Sequence, residues 1–408
     1  MIALSVLGTV ALVAGRVPSP HIDLEVYRFG VQAWWYGGDV YGPMPETELG
    51  NSLPFIYPPF SLLALSPLTI LPWTPAVIAL FLVNLLCIAA TLYLVARRLW
   101  PRLGVRGALL ITAPAVPLAL LLEPINQTFG FGQINLILMG LVAVDCLTEK
   151  PRWPRGIGVG IAAAIKLTPA AFVLFFLLRK DFRAAVTAFL TGAVATGVGF
   201  LADNSASVQY WFGGFAGAAG VSGSPFRTNQ TFFAVLARFD LPPPVTNALW
   251  LGLVLTLFVL AAWVMYRSEP VLALTVCAVF ALVASPTSWS HHWVWVAPAL
   301  LAMVGYAARL RGAGSPAAMG WLAATLLTVS VFTAAPFHDL PGYNNAELDW
   351  STWQQVVGSA YVLLAVGLLS GYAAAVLGRR GASPRTCSNG SSPVGSNAIT
   401  GVDKPLST

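Results

Sequence analysis

Long apolar runs separated by short polar breaks dominate this chain. Runs of near-spanning length fall at residues 1–15, 75–96, 106–122, 132–147, 184–202, 246–266, 270–288, 292–308, 316–335 and 355–377. A helix crosses bilayer hydrocarbon with about 20 apolar residues, fewer where its ends are aromatic or snorkelling. The pattern predicts an all-α polytopic membrane protein of about 10–13 membrane helices, because only helices and closed barrels satisfy their backbone groups in lipid. Two apolar runs are interrupted. Residues 59–72 are cut by Pro67 and Pro72, and residues 156–178 are broken by Lys-Leu-Thr-Pro at 166–169. The opening run Met1–Ala14 is short and has no charged residue before it. It reads as a retained first helix rather than a cleaved signal.

Composition supports the same class. Of 408 residues, 57% are hydrophobic and 9% charged, too few charges to coat a soluble domain. The net charge of +6 does not point to nucleic acid, because the basic residues sit in short clusters between apolar runs. Arg97, Arg98, Arg102 and Arg106 form one cluster; Lys150, Arg152 and Arg155 a second; Arg179, Lys180 and Arg183 a third. Arg267, the pair Arg309 and Arg311, and the pair Arg379 and Arg380 follow. All lie on the cytoplasmic side if the chain starts inside and 156–178 returns to the side it left, as a broken helix pair or re-entrant hairpin. Most acids then face outwards, among them Asp23, Glu25, Asp39, Glu123, Asp203 and Glu347. The long loops 16–58, 203–245 and 336–354 share that outer side, and long ordered loops are usually functional. Residues 1–380 are expected to form the membrane domain, and 381–408, rich in Ser, Gly and Asn, a disordered cytoplasmic tail. Cys87, Cys146 and Cys277 lie in apolar runs and Cys387 in the tail, with no metal-type spacing.

Candidate chemistry gathers in the outer segments. In Pro20-His21-Ile22-Asp23-Leu24-Glu25-Val26-Tyr27, the i, i+4 spacing places Asp23 and Tyr27 on one face of an amphipathic interfacial helix, continued by Val31 and Trp34. Asp23 is either the cap of that helix or a catalytic carboxylate. Phe55-Ile56-Tyr57-Pro58-Pro59-Phe60 forbids a helix interior, and reads as a rigid membrane entry or the edge of a lipid groove. Ser288-Trp289-Ser290-His291-His292-Trp293 holds two of the four histidines. Adjacent histidines diverge on a helix and no acid stands beside them, so phosphate hydrogen bonding or interfacial anchoring fits better than metal. Lys166, inside a broken apolar run, is a packing lysine or a cation for an anionic ligand. Arg227, Asn229 and Gln230 offer a cation and two amides that suit phosphate or sugar hydroxyls. Asn229-Gln230-Thr231 is also a glycosylation sequon, a pattern common by chance. Walker, GxSxG, HExxH and DxD-type motifs are missing, which leaves a metal-dependent nucleotide-sugar site without support. No cofactor or metal is expected.

Taken together, several short motifs resemble one family. They are His21-Ile22-Asp23-Leu24-Glu25-Val26-Tyr27, Val40-Tyr41-Gly42, Leu53-Pro54-Phe55-Ile56-Tyr57-Pro58-Pro59, Gly132-Gln133-Ile134-Asn135, Ala164-Ile165-Lys166-Leu167-Thr168-Pro169, Asn229-Gln230-Thr231 and Ser288-Trp289-Ser290-His291-His292-Trp293. In order and spacing the chain, up to about residue 380, is similar to the actinobacterial polyprenyl-phosphate-mannose-dependent mannosyltransferases of glycosyltransferase family 87, in the GT-C superfamily. The start before Asp23 is shorter than in those enzymes, and Thr231 stands where serine is expected. The resemblance implies a GT-C fold in the plasma membrane with its site facing the periplasm. It implies a polyprenyl-phosphate-mannose donor, a mannolipid acceptor such as lipomannan, lipoarabinomannan or a phosphatidylinositol mannoside, and an α-(1→2) product. Asp23 is then the expected base, with His291 or His292 as its partner. Lys166, Arg227, Asn229, Gln230 and Tyr27 are expected around the donor. A secondary transporter, or a transferase of the same fold using another polyprenyl-phosphate sugar, are the competing readings.

Overall fold

The computed structural model of the chain describes residues 2–213 and 223–381. The expected tail beyond residue 381, and Cys387 with it, lies outside the described residues. Among those residues the chain is all-α, with only two isolated β-bridges, Glu46 with Ser52 and Asn229 with Trp289. The helices run α1 (Ile2–Ala14), α2 (Ile22–Trp35), α3 (Phe60–Ile70), α4 (Trp73–Leu99), α5 (Gly104–Ala119), α6 (Glu123–Phe131), α7 (Asn135–Leu147), α8 (Ile157–Ile165) and α9 (Val173–Leu178). They continue with α10 (Phe182–Ala202), α11 (Asn204–Phe212), α12 (Phe232–Ala237), α13 (Pro243–Arg267), α14 (Pro270–Ala284), α15 (Val296–Gly312), α16 (Ala317–Ala334), α17 (Thr352–Gly358) and α18 (Ala360–Gly381).

Among the described residues seven of these are long and apolar enough to cross a membrane: α4, α10, α13 and α18, α5 and α15 each with its preceding turn, and α16 with its following turn. The apolar helices α1, α7 and α14 are shorter, at 13, 13 and 15 residues. Helix α7 needs no match to lipid thickness, because it is the centre of the bundle. Ten of its residues are buried, and it packs against α4, α8 and the turn Ser290–Trp295. Every apolar run of near-spanning length thus contains a helix.

Arginines tie the helix ends together at one end of the bundle. Arg98 on α4 donates to the Leu147 carbonyl at the end of α7 (2.8 Å). Arg309 on α15 donates to the Leu99 carbonyl of α4 (2.6 Å) and to Glu269, just before α14 (2.9 Å). Arg179 after α9 donates to the Ser268 carbonyl after α13 (3.1 Å). Each cation satisfies carbonyls that a helix C-terminus leaves unpaired, and it opposes the negative end of the helix dipole.

Segment 156–178 enters and leaves at that same basic end. Arg155 donates to the Thr148 carbonyl (2.6 Å) and Arg179 to Ser268, so the segment is a hairpin and not a crossing. Its rising arm, α8, has nine residues and reaches only about 14 Å. Close approach to both neighbours wedges it in place. A Cβ on Gly160 would lie 2.5 Å from the Ala188 carbonyl oxygen of α10, and one on Gly158 would lie 2.7 Å from that of Leu141 on α7. Buried Asp145 of α7 accepts from the N–H groups of Gly156 (2.9 Å) and Val159 (3.0 Å), which fixes the start of α8. The hairpin tip carries Lys166 in extended backbone, pointed towards the opposite end of the bundle.

That opposite end holds α2, α6, α11, α12 and α17 with the long loops. Helix α2 buries Leu24, Val26, Tyr27, Gly30 and Val31 and packs along α3. Arg28 donates to the Leu68 (3.0 Å) and Leu71 (2.9 Å) carbonyls at the end of α3, which ties α2 to α3.

Candidate active site

Four separate segments meet beneath α2. The first is the opening turn of α2 itself. Its N-cap position is His21, which makes no side-chain cap, and Asp23 lies inside the helix. Capping is therefore not what Asp23 does. Its carboxylate is instead hydrogen-bonded by the side chain of Gln133. Tyr27, one turn on and buried, donates to Gln133 Oε1 (2.7 Å) and meets the Tyr57 hydroxyl at 3.2 Å. The shared face of Asp23 and Tyr27 that the spacing implies is present, and both members of it converge on one amide.

The second segment is the bend between α6 and α7. Gly132 ends α6 in the left-handed region at φ 70, where a side chain is strained. A Cβ there would also lie 2.9 Å from Leu24 Cβ and 3.0 Å from His21 Cβ, so glycine lets α2 sit directly on this bend. The bend presents Gln133, whose own carbonyl is held by buried Asn84 (2.9 Å), and then Asn135 at the start of α7.

The third segment is the hairpin tip. Lys166 Nζ donates to Asn135 Oδ1 (3.1 Å) and to His292 Nε2 (3.1 Å), and lies 5.4 Å from the centre of the Tyr57 ring. An ammonium is a donor only, so His292 accepts at Nε2 and carries its proton on Nδ1. The fourth segment is the turn Ser290–Trp295. Its His291 Nε2 lies 3.4 Å from Gln133 Nε2, and the two imidazoles stand edge to face with centroids 4.7 Å apart. A small cavity of about 50 Å³ opens beside Lys166 and His292, lined also by Asn135, Thr168, Phe172 and Trp295.

Electrostatics follows from this packing. Loss of water raises the Asp23 carboxyl from 3.8 to about 6, against the opposing pull of the Gln133 hydrogen bond and the Lys166 charge. Burial also holds the Tyr27 and Tyr57 hydroxyls well above their ordinary range, so both remain proton donors. The arrangement sets a carboxylate with pKa near neutrality against a lysine ammonium and two imidazoles. That is a proton acceptor facing an anion-binding group.

A second network fixes the histidine turn. Glu123, at the start of α6, accepts from Ser290 Oγ (2.7 Å), from His338 Nε2 (2.8 Å) and from the Tyr361 hydroxyl (3.0 Å). Thr128 (3.2 Å) and Asn135 (2.9 Å) both donate to the His291 carbonyl. The turn is thus pinned by α6, α7, α18 and the third long loop together.

The other residues marked in the sequence have different work. Arg227 donates to the main-chain carbonyls of His338 (2.8 Å) and Leu340, its N–H meets Glu347 Oε1 (2.9 Å), and its guanidinium lies over Tyr343. Asn229 and Gln230 have no exposed surface. Asn229 accepts from the Ser288 N–H (2.9 Å) and donates to the Ser224 carbonyl (2.8 Å). Gln230 donates to the Gly358 carbonyl (2.7 Å) and to that of Arg227 (2.9 Å). Asn229 ties the second long loop to the back of the histidine turn, Gln230 ties it to the end of α17, and Arg227 ties it to the third long loop, each through main-chain groups. Burial also removes Asn229 from consideration as a glycosylation site. So Asp23, Tyr27, Lys166, His291 and His292 come together, and Arg227, Asn229 and Gln230 do not join them. Gln133, Asn135, Tyr57 and Glu123 were not marked as site residues. Their signal was a set of polar groups at the edges of apolar runs, which alone does not say which of them meet.

Comparison with known proteins shows the family of the chain. The model of glycosyltransferase family 87 matches residues 55–286. The polyprenol-phosphate-mannose-dependent alpha-(1-2)-phosphatidylinositol mannoside mannosyltransferase of Mycolicibacterium smegmatis is 37% identical over 384 residues, covering 87% of this chain and 85% of that protein. Its counterpart from Mycobacterium tuberculosis is 36% identical over 368 residues, covering 85% and 83%. A polyprenol-phosphate-mannose-dependent alpha-(1-2)-phosphatidylinositol pentamannoside mannosyltransferase of Mycobacterium tuberculosis is 30% identical over 316 residues, covering 76% and 72%. No solved structure matches.

Proposed function

The chain belongs to glycosyltransferase family 87, and from that premise we propose that it transfers mannose from polyprenyl-phosphate-mannose to a phosphatidylinositol mannoside or related mannolipid. The bond formed is α-(1→2), and the reaction inverts the anomeric carbon of a β-linked donor. The observation that supports this reading is the gathering of Asp23 and the Lys166–His292 pair around Gln133 and His291. In a single displacement, Asp23 removes the proton of the acceptor hydroxyl as its oxygen attacks C1 of the mannosyl group. The C1–O bond to phosphate breaks, and polyprenyl phosphate leaves with the bonding electrons. Lys166 and the Nδ1–H of His292 meet the phosphate oxygens on which that charge grows. Gln133, held by Tyr27, keeps the carboxylate aimed while His291 buttresses the amide from the other side. The arginines gathered at the other end of the bundle support a cytoplasmic position for that end, and with it a site on the extracytoplasmic face of the plasma membrane.

The test is mannose transfer from polyprenyl-phosphate-mannose to a phosphatidylinositol mannoside, with purified wild type and Asp23→Asn in detergent. Wild type forms an α-(1→2) product, and the folded variant loses about 10²–10⁴ in rate, the usual contribution of a general base. Full activity of Asp23→Asn would remove Asp23 from the mechanism. Persistent inactivity of wild type with every mannolipid tried would remove the reaction.

A further inference from the structure

A second hollow lies in the bundle, away from the site itself. A groove of about 670 Å³ runs between α14, α15, α16 and α18, and none of the residues that line it is charged. Its lining extends from Trp293 and Phe332 near the histidine turn to Leu310 and Val376 near the basic end. Along α15 that is about 20 Å of helix, most of the depth of a hydrocarbon layer of about 30 Å.

Three observations show what the hollow serves. Gly320, Gly367 and Gly371 face it from helix interiors, and a Cβ at any of them meets nothing within 4 Å. Glycine between membrane helices ordinarily permits close packing, and these glycines are packed against nothing. They keep space open. Secondly, Leu282 and Trp295 line both this groove and the small cavity beside Lys166 and His292, so one layer of side chains separates the two. Thirdly, Trp293 at the head of the groove is 3% exposed, and its indole N–H has no hydrogen-bond partner. A buried donor at the mouth of an apolar channel suits a lipid whose polar head stops there.

We propose that this groove holds the isoprenoid tail of the donor, with its phosphate at Lys166 and His292; the assignment rests on the transfer reaction proposed above. The tail belongs to the donor and not to the acceptor because the groove adjoins the cation and not Asp23. Binding the tail in the protein fixes the phosphate relative to the base.

The substitutions Gly367→Phe and Gly371→Phe place a ring in the groove, from positions where a Cβ meets nothing within 4 Å. The Michaelis constant of each variant is measured for long-chain polyprenyl-phosphate-mannose, for a two-isoprene phosphate-mannose, and for the acceptor. The expected result is a rise of about tenfold or more for the long donor, since each buried methylene lost weakens binding. The short donor and the acceptor keep their values within about twofold, as does Gly367→Ala with every substrate. A rise confined to the acceptor, an equal loss with both donors, or no change in a folded variant would each overturn the proposal. A second arm does not need turnover. Wild type is irradiated with a polyprenyl phosphate bearing a diazirine in its tail, and the labelled peptides are mapped. Label in α16 or α18 that unlabelled polyprenyl phosphate displaces, and a phosphatidylinositol lipid does not, supports the groove even if no mannose transfer is found. Label elsewhere overturns it even if transfer is found.

Discussion

The most discriminating prediction concerns pH. A base acts only while it is ionised, and Asp23 is raised to about 6 from 3.8 by its loss of water. The sign is then fixed: the reactive carboxylate disappears as pH falls through 6, two units earlier than for an ordinary aspartate. About 90% of the side chain is ionised at pH 7 and about 10% at pH 5, so kcat/KM falls about tenfold between them. An unshifted aspartate would remain about 95% ionised at pH 5 and would give almost no fall. The donor is a phosphodiester and stays singly charged throughout. Lys166, His291, His292, Tyr27 and Tyr57 are the other titratable groups around Asp23. Two variants separate them. Gln133→Leu removes a hydrogen bond that favours the ionised form, so its inflection moves to higher pH. His292→Asn loses rate but leaves the inflection where it was. The assay is initial-rate mannose transfer at sub-saturating donor from pH 5 to 8, with folding checked at each pH. A wild-type profile flat from pH 7 to 5, or an inflection that follows His292, would refute the reasoning.

Three further outcomes follow from the contacts. Lys166→Met loses about 10²–10³ in kcat/KM, the cost of removing a donor to transition-state charge, and Lys166→Arg recovers part of it in the same transfer assay. Arg227→Ala and Asn229→Ala each destabilise the fold by about 1–3 kcal/mol for main-chain groups left unpaired, read as a lower thermal unfolding temperature. The folded fraction of either variant keeps its KM for donor; a selective rise in that KM would return the residue to the substrate. Gly132→Ala costs about 1–2 kcal/mol for the left-handed backbone alone. It also lowers kcat by pushing α2 off the bend, which is read as a rate loss at saturating substrate greater than the loss of folded protein.

Hydrophobic pattern made the bundle legible because each membrane helix must satisfy its own backbone and show lipid an apolar surface. The arginine clusters made its polarity legible for a related reason. The same side chains that would be held on one side of a bilayer pair with helix C-termini at one end of the fold. They also required 156–178 to turn back, and Arg155 and Arg179 do meet the same end. The interior of the site was less legible. Lys166 and His292 are 126 residues apart and Gln133 and His291 are 158 apart, so no local pattern brings them together. Arg227, Asn229 and Gln230 show the converse. A cation and two amides in an outer loop carry the same chemistry whether they bind sugar or main chain, and only their burial, for Asn229 and Gln230, and their partners, for Arg227, distinguish the uses. Asp23 is a further case, because on pattern alone an acid at a helix start reads either as a cap or as a catalytic carboxylate, and only its neighbour across the bend separates the two.

The two charges of the proposed site also explain each other. Before transfer the reacting groups carry a carboxylate, an ammonium and a singly charged phosphodiester. Afterwards they carry a neutral acid, the same ammonium and a doubly charged phosphate. Net charge is unchanged, but one negative charge has moved from Asp23 to the leaving group beside Lys166. The loss of water that raises Asp23 makes that charge costly where it starts, and the hydrogen-bonded ammonium makes it favourable where it ends. Lys166 pulls on the Asp23 carboxylate from further away than on a phosphate seated in its own cavity, so its stabilisation grows along the reaction. That is the condition for a rate gain as opposed to tighter binding alone. It also gives the re-entrant hairpin a purpose, because a crossing helix would bury its lysine at mid-depth, whereas α8 stops short and delivers Lys166 to His292 and Asn135 at its tip.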